Sequence, residues 1–154
     1  MQEIWQHESV IARAQILVGS LKHFTGRDLR PGNDSPPELS EKLFHAPFVL
    51  VAHGPEADPV LNYGNAAALA LWEMSWTELT RTPSRLTAEA PNRAARARLL
   101  AEVTANGFIE NYSGIRISKN GRRFRIAQAT VWNLLDEHGK NCGQAARFAH
   151  WEFL

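Results

Sequence analysis

Apolar residues recur at helical spacing from the start of the chain. Ile4, Ile11, Ala14, Val18 and Leu21 fall at heptad-like intervals, and Val10, Leu17 and Phe24 widen the stripe. The spacing predicts a helix over residues 2–24, ended by Gly26. A stripe this wide serves either its own domain or a partner chain. Residues 26–37, GRDLRPGNDSPP, cluster turn formers and read as a connector. Leu39 to Phe44 reads as a short helix before Pro47.

The period then changes. FVLVAHG (48–54) is a β-branched run with a Gly stop, and VLNYGN (60–65) follows across PEADP, so the two form a hairpin. Helices are expected at about 66–74 and 76–81. Between them Ser75, Trp76, Thr77 and Glu78 spell S-x-x-E, a capping box that restarts a helix. Thr82-Pro83 opens a further turn, with Pro at the first helical position. Pro91 to Asn106 is a longer helix with Ala95, Leu99 and Val103 along one face, closed by Gly107.

The last third reads as strand. Residues 108–118 meet 122–135 across Asn120-Gly121, a strong hairpin signal. Tyr112 lies on the opposite phase from Ile115 and Ile117, which predicts a bulge near Ser113-Gly114. Strict alternation puts Phe124, Ile126, Thr130, Trp132 and Leu134 on one face. A turn at DEHGKN leads to a final strand over 142–154. Strands grouped at both ends with helices between them imply an α+β fold with one antiparallel sheet.

Composition narrows the class. A chain of 154 residues suits one domain, and 44% hydrophobic with 21% charged residues is ordinary for a globular protein. A net charge of +1 gives no broad basic field, so neither nucleic acid nor a membrane surface is expected as a partner. The lone Cys142 leaves no internal disulfide and fits a reducing compartment. MQEIWQHESV lacks the basic and apolar runs of a signal peptide, and no window reaches the ~18 apolar residues of a membrane span. The expectation is a cytoplasmic protein.

NYGNAAALALWEMSWTEL resembles the PAS signature, in which a strand ends in Asn and a helix of small residues gives way to a second helix. The stretch from Gly107 resembles the PAS β-meander, with its K-x-G-R hairpin and D-x-x-G turn. More narrowly, Leu43 to Leu154 is similar to the MEKHLA group of PAS-related domains, through PFVLVAHGPEADPVLNYGN, LWEMSW, PSRLTAE and GRRFRI. That group occurs as small bacterial proteins and within plant homeodomain–leucine-zipper proteins. The resemblance implies a five-stranded antiparallel sheet with helices over one face. Residues 1–26 would be a flanking helix, 27–42 a connector with a short helix, and 43–154 the PAS-like domain.

The resemblance also implies a cavity between helices and sheet. Several PAS relatives hold haem, flavin or small organic ligands there. Haem in well-known sensors hangs from a His on the long helix, and APNRAARARLLAEVTANG has none. Flavin photosensors use a Cys in N-C-R-F-L-Q; TPSRLTAE, at the matching place, has no Cys. The cofactor is therefore open. Trp72 and Trp76 are expected to line or fill the cavity. Asn133, Gln144 and Arg147 lie in the sheet, where PAS domains touch ligands, and Arg85 and Tyr112 would add a charge and a phenol. Trp132 is a further aromatic for the same space, as filler or as ligand contact.

Other chemistry has little support in the residues. His45, His53 and His138 read as surface or turn residues, and no histidine pair has metal-ligand spacing. Nucleophile elbow, Walker loop and dinucleotide fingerprint are missing, so no enzyme activity is expected. Asp58, Glu73 and Asp136 would serve as bases only if buried beside a pocket. Arg93, Arg96 and Arg98, with Arg122, Arg123 and Arg125, read as solvated faces, Arg122 and Arg125 facing Glu110. The leading reading is a stand-alone PAS-like sensory or small-molecule-binding module with no attached effector. It would signal through protein contact, with the N-terminal helix as transmitter and a homodimer as the partner state. The alternatives are a ligand-free dimerisation scaffold and, third, a small α+β cone enzyme acting on an apolar molecule.

Overall fold

In the computed structural model, which describes all of residues 1–154, the first predicted helix comes in two pieces. Ile4–Gln6 make one 3-10 turn, His7 is extended, and α1 runs Glu8–Thr25. Gly26 stops it at φ 74°, its N–H bonded to the Lys22 carbonyl. Helix α2 (Pro36–Phe44) begins earlier than the apolar pattern suggests, because Ser35 and Glu38 form a capping box and Pro36 needs no amide partner.

The sheet is antiparallel, in the order β2-β1-β5-β4-β3. Its strands are β1 (Val49–His53), β2 (Leu61–Gly64), β3 (Phe108–Ile117), β4 (Arg123–Leu135) and β5 (Asn141–Phe148). The predicted final strand is interrupted at Ala149, and its remainder, β6 (His150–Phe153), continues along β4. Thr130 faces Arg147 and Ala127 faces His150, so both pieces keep one register.

The face assignment in β4 is corrected. Gln128 takes a left-handed φ of 55°, and register against β3 shifts on both sides of Tyr112, where Asn111 also has φ 57°. A residue with reversed φ interrupts the pleat, so alternation restarts on the other phase. Phe124, Ile126 and Ala129 therefore pack with Val49, Ala68, Leu71 and Trp72. Trp132 and Leu134 pack on the opposite face with Val10, Ala14, Leu17 and Leu21 of α1. The sheet thus carries α1 on one face and, on the other, α3 (Ala66–Trp72) and α5 (Ala90–Asn106).

The broken helix separates its tryptophans. Glu73, at φ 57°, ends α3, and the Ser75–Glu78 capping box begins α4 (Trp76–Leu79). Trp72 meets Phe124 edge-on at 5.4 Å and Phe148 at 6.2 Å. Trp76 instead meets Tyr63 at 5.8 Å, in the cluster that α1 covers. The next turn is 3-10 (Ser84–Thr87), and Pro83 precedes it rather than opening it, since Pro83 bridges to Val60. In α5, Leu99 and Val103 are buried, whereas Ala95 is exposed.

Candidate functional site

A cavity of about 60 Å³ lies between α5, Trp72 of α3 and the sheet. Twelve of the seventeen residues around it are hydrophobic, among them Val51, Leu99, Ile126, Val131 and Phe148. The matched irregularities at Asn111 and Gln128 create it. They bring Tyr112, Arg116, Ile126 and Val131 onto the same side as Gln144 and Phe148 of β5.

The polar part of the wall is unusual. Arg116 is buried, donating to the carbonyl of Ile115 at 2.9 Å and to the Tyr112 hydroxyl at 3.2 Å. Arg96 faces the same space from α5. Burial, and then the charge of Arg116, push its pKa down to about 10, so it still carries its proton at neutral pH. His53 is buried, and its Nδ1 lies 2.9 Å from the Gly54 carbonyl, to which it donates. Burial, helped by the Arg96 charge, pushes its pKa down, which keeps the ring neutral. Its Nε2 and the indole Nε1 of Trp72 have no hydrogen-bond partner.

Gln144 and Asn133 close one end. The Gln144 amide donates to the Leu100 carbonyl, the Thr104 hydroxyl and Asn133 Oδ1, at 3.0–3.1 Å. Asn133 Nδ2 donates to the Val103 carbonyl at 3.0 Å. These bonds fix the C-terminal half of α5 on β4 and β5.

The cavity thus takes Trp72, Tyr112 and Gln144 of the residues expected from sequence. Asn133 stands behind Gln144. Trp76 and Trp132 belong to the α1-side cluster, where the Trp132 indole N–H donates to the Leu17 carbonyl at 3.3 Å. Arg147 lies over the Phe48 ring at 4.5 Å. Arg85 pairs with Asp58 at the surface. Glu73 is bonded to Ser118 at 2.6 Å, and Asp136 caps its own turn through the amides of His138 and Lys140.

Arg116 was not singled out from the sequence, Arg96 was read as part of a solvated face and His53 as a surface or turn residue; the structure puts all three at the cavity. Arg96 shares the helical stripe of Leu99, Leu100 and Val103, and Arg116 shares the strand phase of Tyr112; those spacings were the available signal. Histidine 53, read as a turn residue, is buried because it pairs with Gln144 at the end of β1. Arg125 pairs with Glu152, and Arg122 lies over Phe153, while Glu110 pairs with Arg27.

A flavin does not fit these residues. The space is far below the roughly 300–1,000 Å³ of ordinary ligand pockets. The only thiol, Cys142, packs in the α1-side cluster. No three of His, Cys, Asp or Glu converge on a point that could take a metal ion. No helix is long and apolar enough to cross a membrane.

Solved structures share the architecture. A light-oxygen-voltage domain studied with a flavin analogue superposes with a TM-score of 0.59 at 15% identity, covering 75% of this chain and 84% of that one. The PAS domain of a Colwellia psychrerythraea protein gives 0.59 at 11%, covering 75% and 92%. The photo-excited blue-light photoreceptor Vivid gives 0.57 at 17%, covering 86% and 92%. Identities this low carry the fold alone, and the fold is PAS. Among curated proteins, the chain is 28% identical over 98 residues to the homeobox-leucine zipper protein ATHB-14 of Arabidopsis thaliana. It is 29% identical over 98 residues to ATHB-9 of the same plant. Each match takes in 64% of this chain but only 12% of the relative's length. The MEKHLA domain matches residues 11–153, taking in most of α1 and nearly all of the sheet and its helices, and the chain belongs to the MEKHLA domain family.

Proposed function

We propose that the chain is a sensory module that takes a small molecule between α5 and the sheet and passes the bound state to α1. The supporting observation is the cavity itself, apolar over most of its wall yet holding an unpaired buried donor, the Trp72 indole N–H, and an unpaired acceptor, His53 Nε2. Transmission runs through β4. Asn133 grips α5 from one face, and its neighbour Trp132 holds α1 from the other. A ligand that binds two positions of α5 unequally shifts the population of the α1 contact as well. Output is contact with another protein chain, a second copy included, through the outer side of α1, where Ala12, Gln15 and Gly19 are exposed. No Asp or Glu lines the cavity, so the carboxylate that cone-type catalysis wants is not at hand there.

Native mass spectrometry and an absorption spectrum of the full-length chain test the binding reading. A retained small molecule, or a melting temperature raised by a small-molecule panel, supports it. A bare mass with no response to the panel favours the second reading, a scaffold filled by Trp72, which the small volume of the cavity recommends. Light scattering tests the contact. Gly19→Arg meets no atom near its new Cβ, so it keeps the fold and is expected to lower the mass of a homodimer. An unchanged mass removes α1 as the contact.

A further inference from the structure

We infer that the cavity is a site for a compact anion with an apolar tail, a short aliphatic carboxylate, held by Arg96 and Arg116. The inference rests on the binding reading above and names its ligand class.

Arg93 donates to the Ala88 carbonyl, and Arg122 and Arg147 lie over the rings of Phe153 and Phe48. Five further arginines pair with carboxylates, Arg27 with Glu110, Arg30 with Asp34, Arg85 with Asp58, Arg123 with Glu89 and Arg125 with Glu152. All of those pairs are at or near the surface, where the charge needs a partner least. Arg96 and Arg116 have no such partner, although Arg116 is 7% exposed. Two like charges facing one apolar space are costly unless an opposite charge joins them. Tyr112, bonded to Arg116, offers a hydroxyl rather than a carboxylate.

The surroundings select among anions. The Trp72 indole N–H, on a side chain only 3% exposed, has no acceptor and adds a second type of donor at the same wall. His53 is held neutral there, so it adds no further charge. A carboxylate accepts from a guanidinium fork and an indole N–H together. Val51, Ile126, Val131 and Phe148 then suit a short alkyl tail and offer nothing to a fully polar ion. An engineered cavity of about 150 Å³ holds benzene. Butyrate has as many heavy atoms as benzene, so the smaller space here suits acetate or propionate.

The experiment is a titration of the ¹⁵N-labelled full chain in low-chloride buffer, read at the indole N–H signals. Acetate and propionate are expected to shift the Trp72 signal saturably. Propionamide, the neutral isostere, is expected to bind at least about tenfold more weakly, since losing a charge-assisted bond of ~1.4 kcal/mol is a factor of ten. Inorganic phosphate is expected to shift it less than propionate does. Arg96→Gln and Arg116→Gln should each weaken propionate by about the same factor, while Arg98→Gln, exposed on α5, should leave it unchanged. Should Arg116→Gln fail to fold, the half-buried Arg96 still decides. Propionamide binding as tightly as propionate overturns the inference but leaves the small-molecule reading standing. Phosphate binding as tightly as propionate overturns the apolar tail. No shift with any carboxylate overturns the inference, and retained mass in the native spectrum then reports separately on the binding reading.

Discussion

The Ser20 hydroxyl joins both backbone groups of Leu135, accepting from its N–H at 2.8 Å and donating to its carbonyl at 3.5 Å. The register between β4 and β5 shifts at Leu135, and the serine of α1 takes the place of a strand neighbour there. Trp132 makes the second tie, to Leu17. With Val10, Ala14, Leu17 and Leu21 buried on the sheet, α1 is part of the domain core rather than a detachable flank. Ser20→Ala leaves the Leu135 amide without its acceptor and is expected to cost about 1–3 kcal/mol in urea unfolding. Removing residues 1–26 is expected to abolish cooperative unfolding, because it opens the α1-side core.

Asn65 is a second junction, with all four of its strong hydrogen-bond directions used. Its Oδ1 accepts from the amides of Leu50 and Ala68, and its Nδ2 donates to the carbonyls of Leu43 and Phe48. It therefore caps α3, fixes β1 and ties both to the end of α2. Asn65→Ala is expected to cost on the order of 3 kcal/mol or more, since several buried groups lose partners at once. Asn65→Asp is expected to be no better, because it turns two donors into acceptors facing carbonyls. Thermal melts of both variants check the order; an Asp variant as stable as wild type would remove the donor argument.

Much of this was legible from sequence. The S-x-x-E box at Ser75, the Asn120-Gly121 hairpin and the glycine stops at Gly26 and Gly107 are local, and each sits where the pattern put it. The layers of β4 were not legible. Alternation is a rule about regular pleats, and the positive φ of Gln128 goes with register shifts against β3 that no run of residues within β4 encodes. The same reversal moved Trp132 off the cavity wall. Arg96 and Arg116 were hidden for another reason: a charged side chain reads as surface until a fold encloses it.

Gly143 supports the cavity from behind. It has φ 140°, and a β-carbon there would overlap the His53 carbonyl of the neighbouring β1. Gly143→Ala must push β5 from β1 at the end that carries Gln144 and His53. The expected outcome is a loss of roughly 2–4 kcal/mol, from strain at positive φ together with a backbone clash. Gly121→Ala, at φ 87° in an open hairpin turn, is the control and should cost about 1 kcal/mol. Equal losses at the two positions would show that close strand approach contributes nothing.

His53 gives stability a pH dependence whose sign follows from its burial. The free imidazole takes a proton near 6.5, whereas the folded ring, desolvated and beside Arg96, resists it to a lower pH. Below 6.5 the unfolded chain therefore binds more protons than the folded one, and acid favours unfolding. The contribution is fully present above 6.5, falls as pH drops towards the folded value, and levels off beneath it. One proton sets the limit, about 1.4 kcal/mol per pH unit. Glu56 acts in the opposite sense and tempers the effect. His53→Gln keeps an amide donor near the Gly54 carbonyl without a titrating ring. Urea unfolding from pH 7.5 to 5 should show wild type losing stability more steeply than this variant. A variant that loses it just as steeply would place the acid sensitivity at other groups.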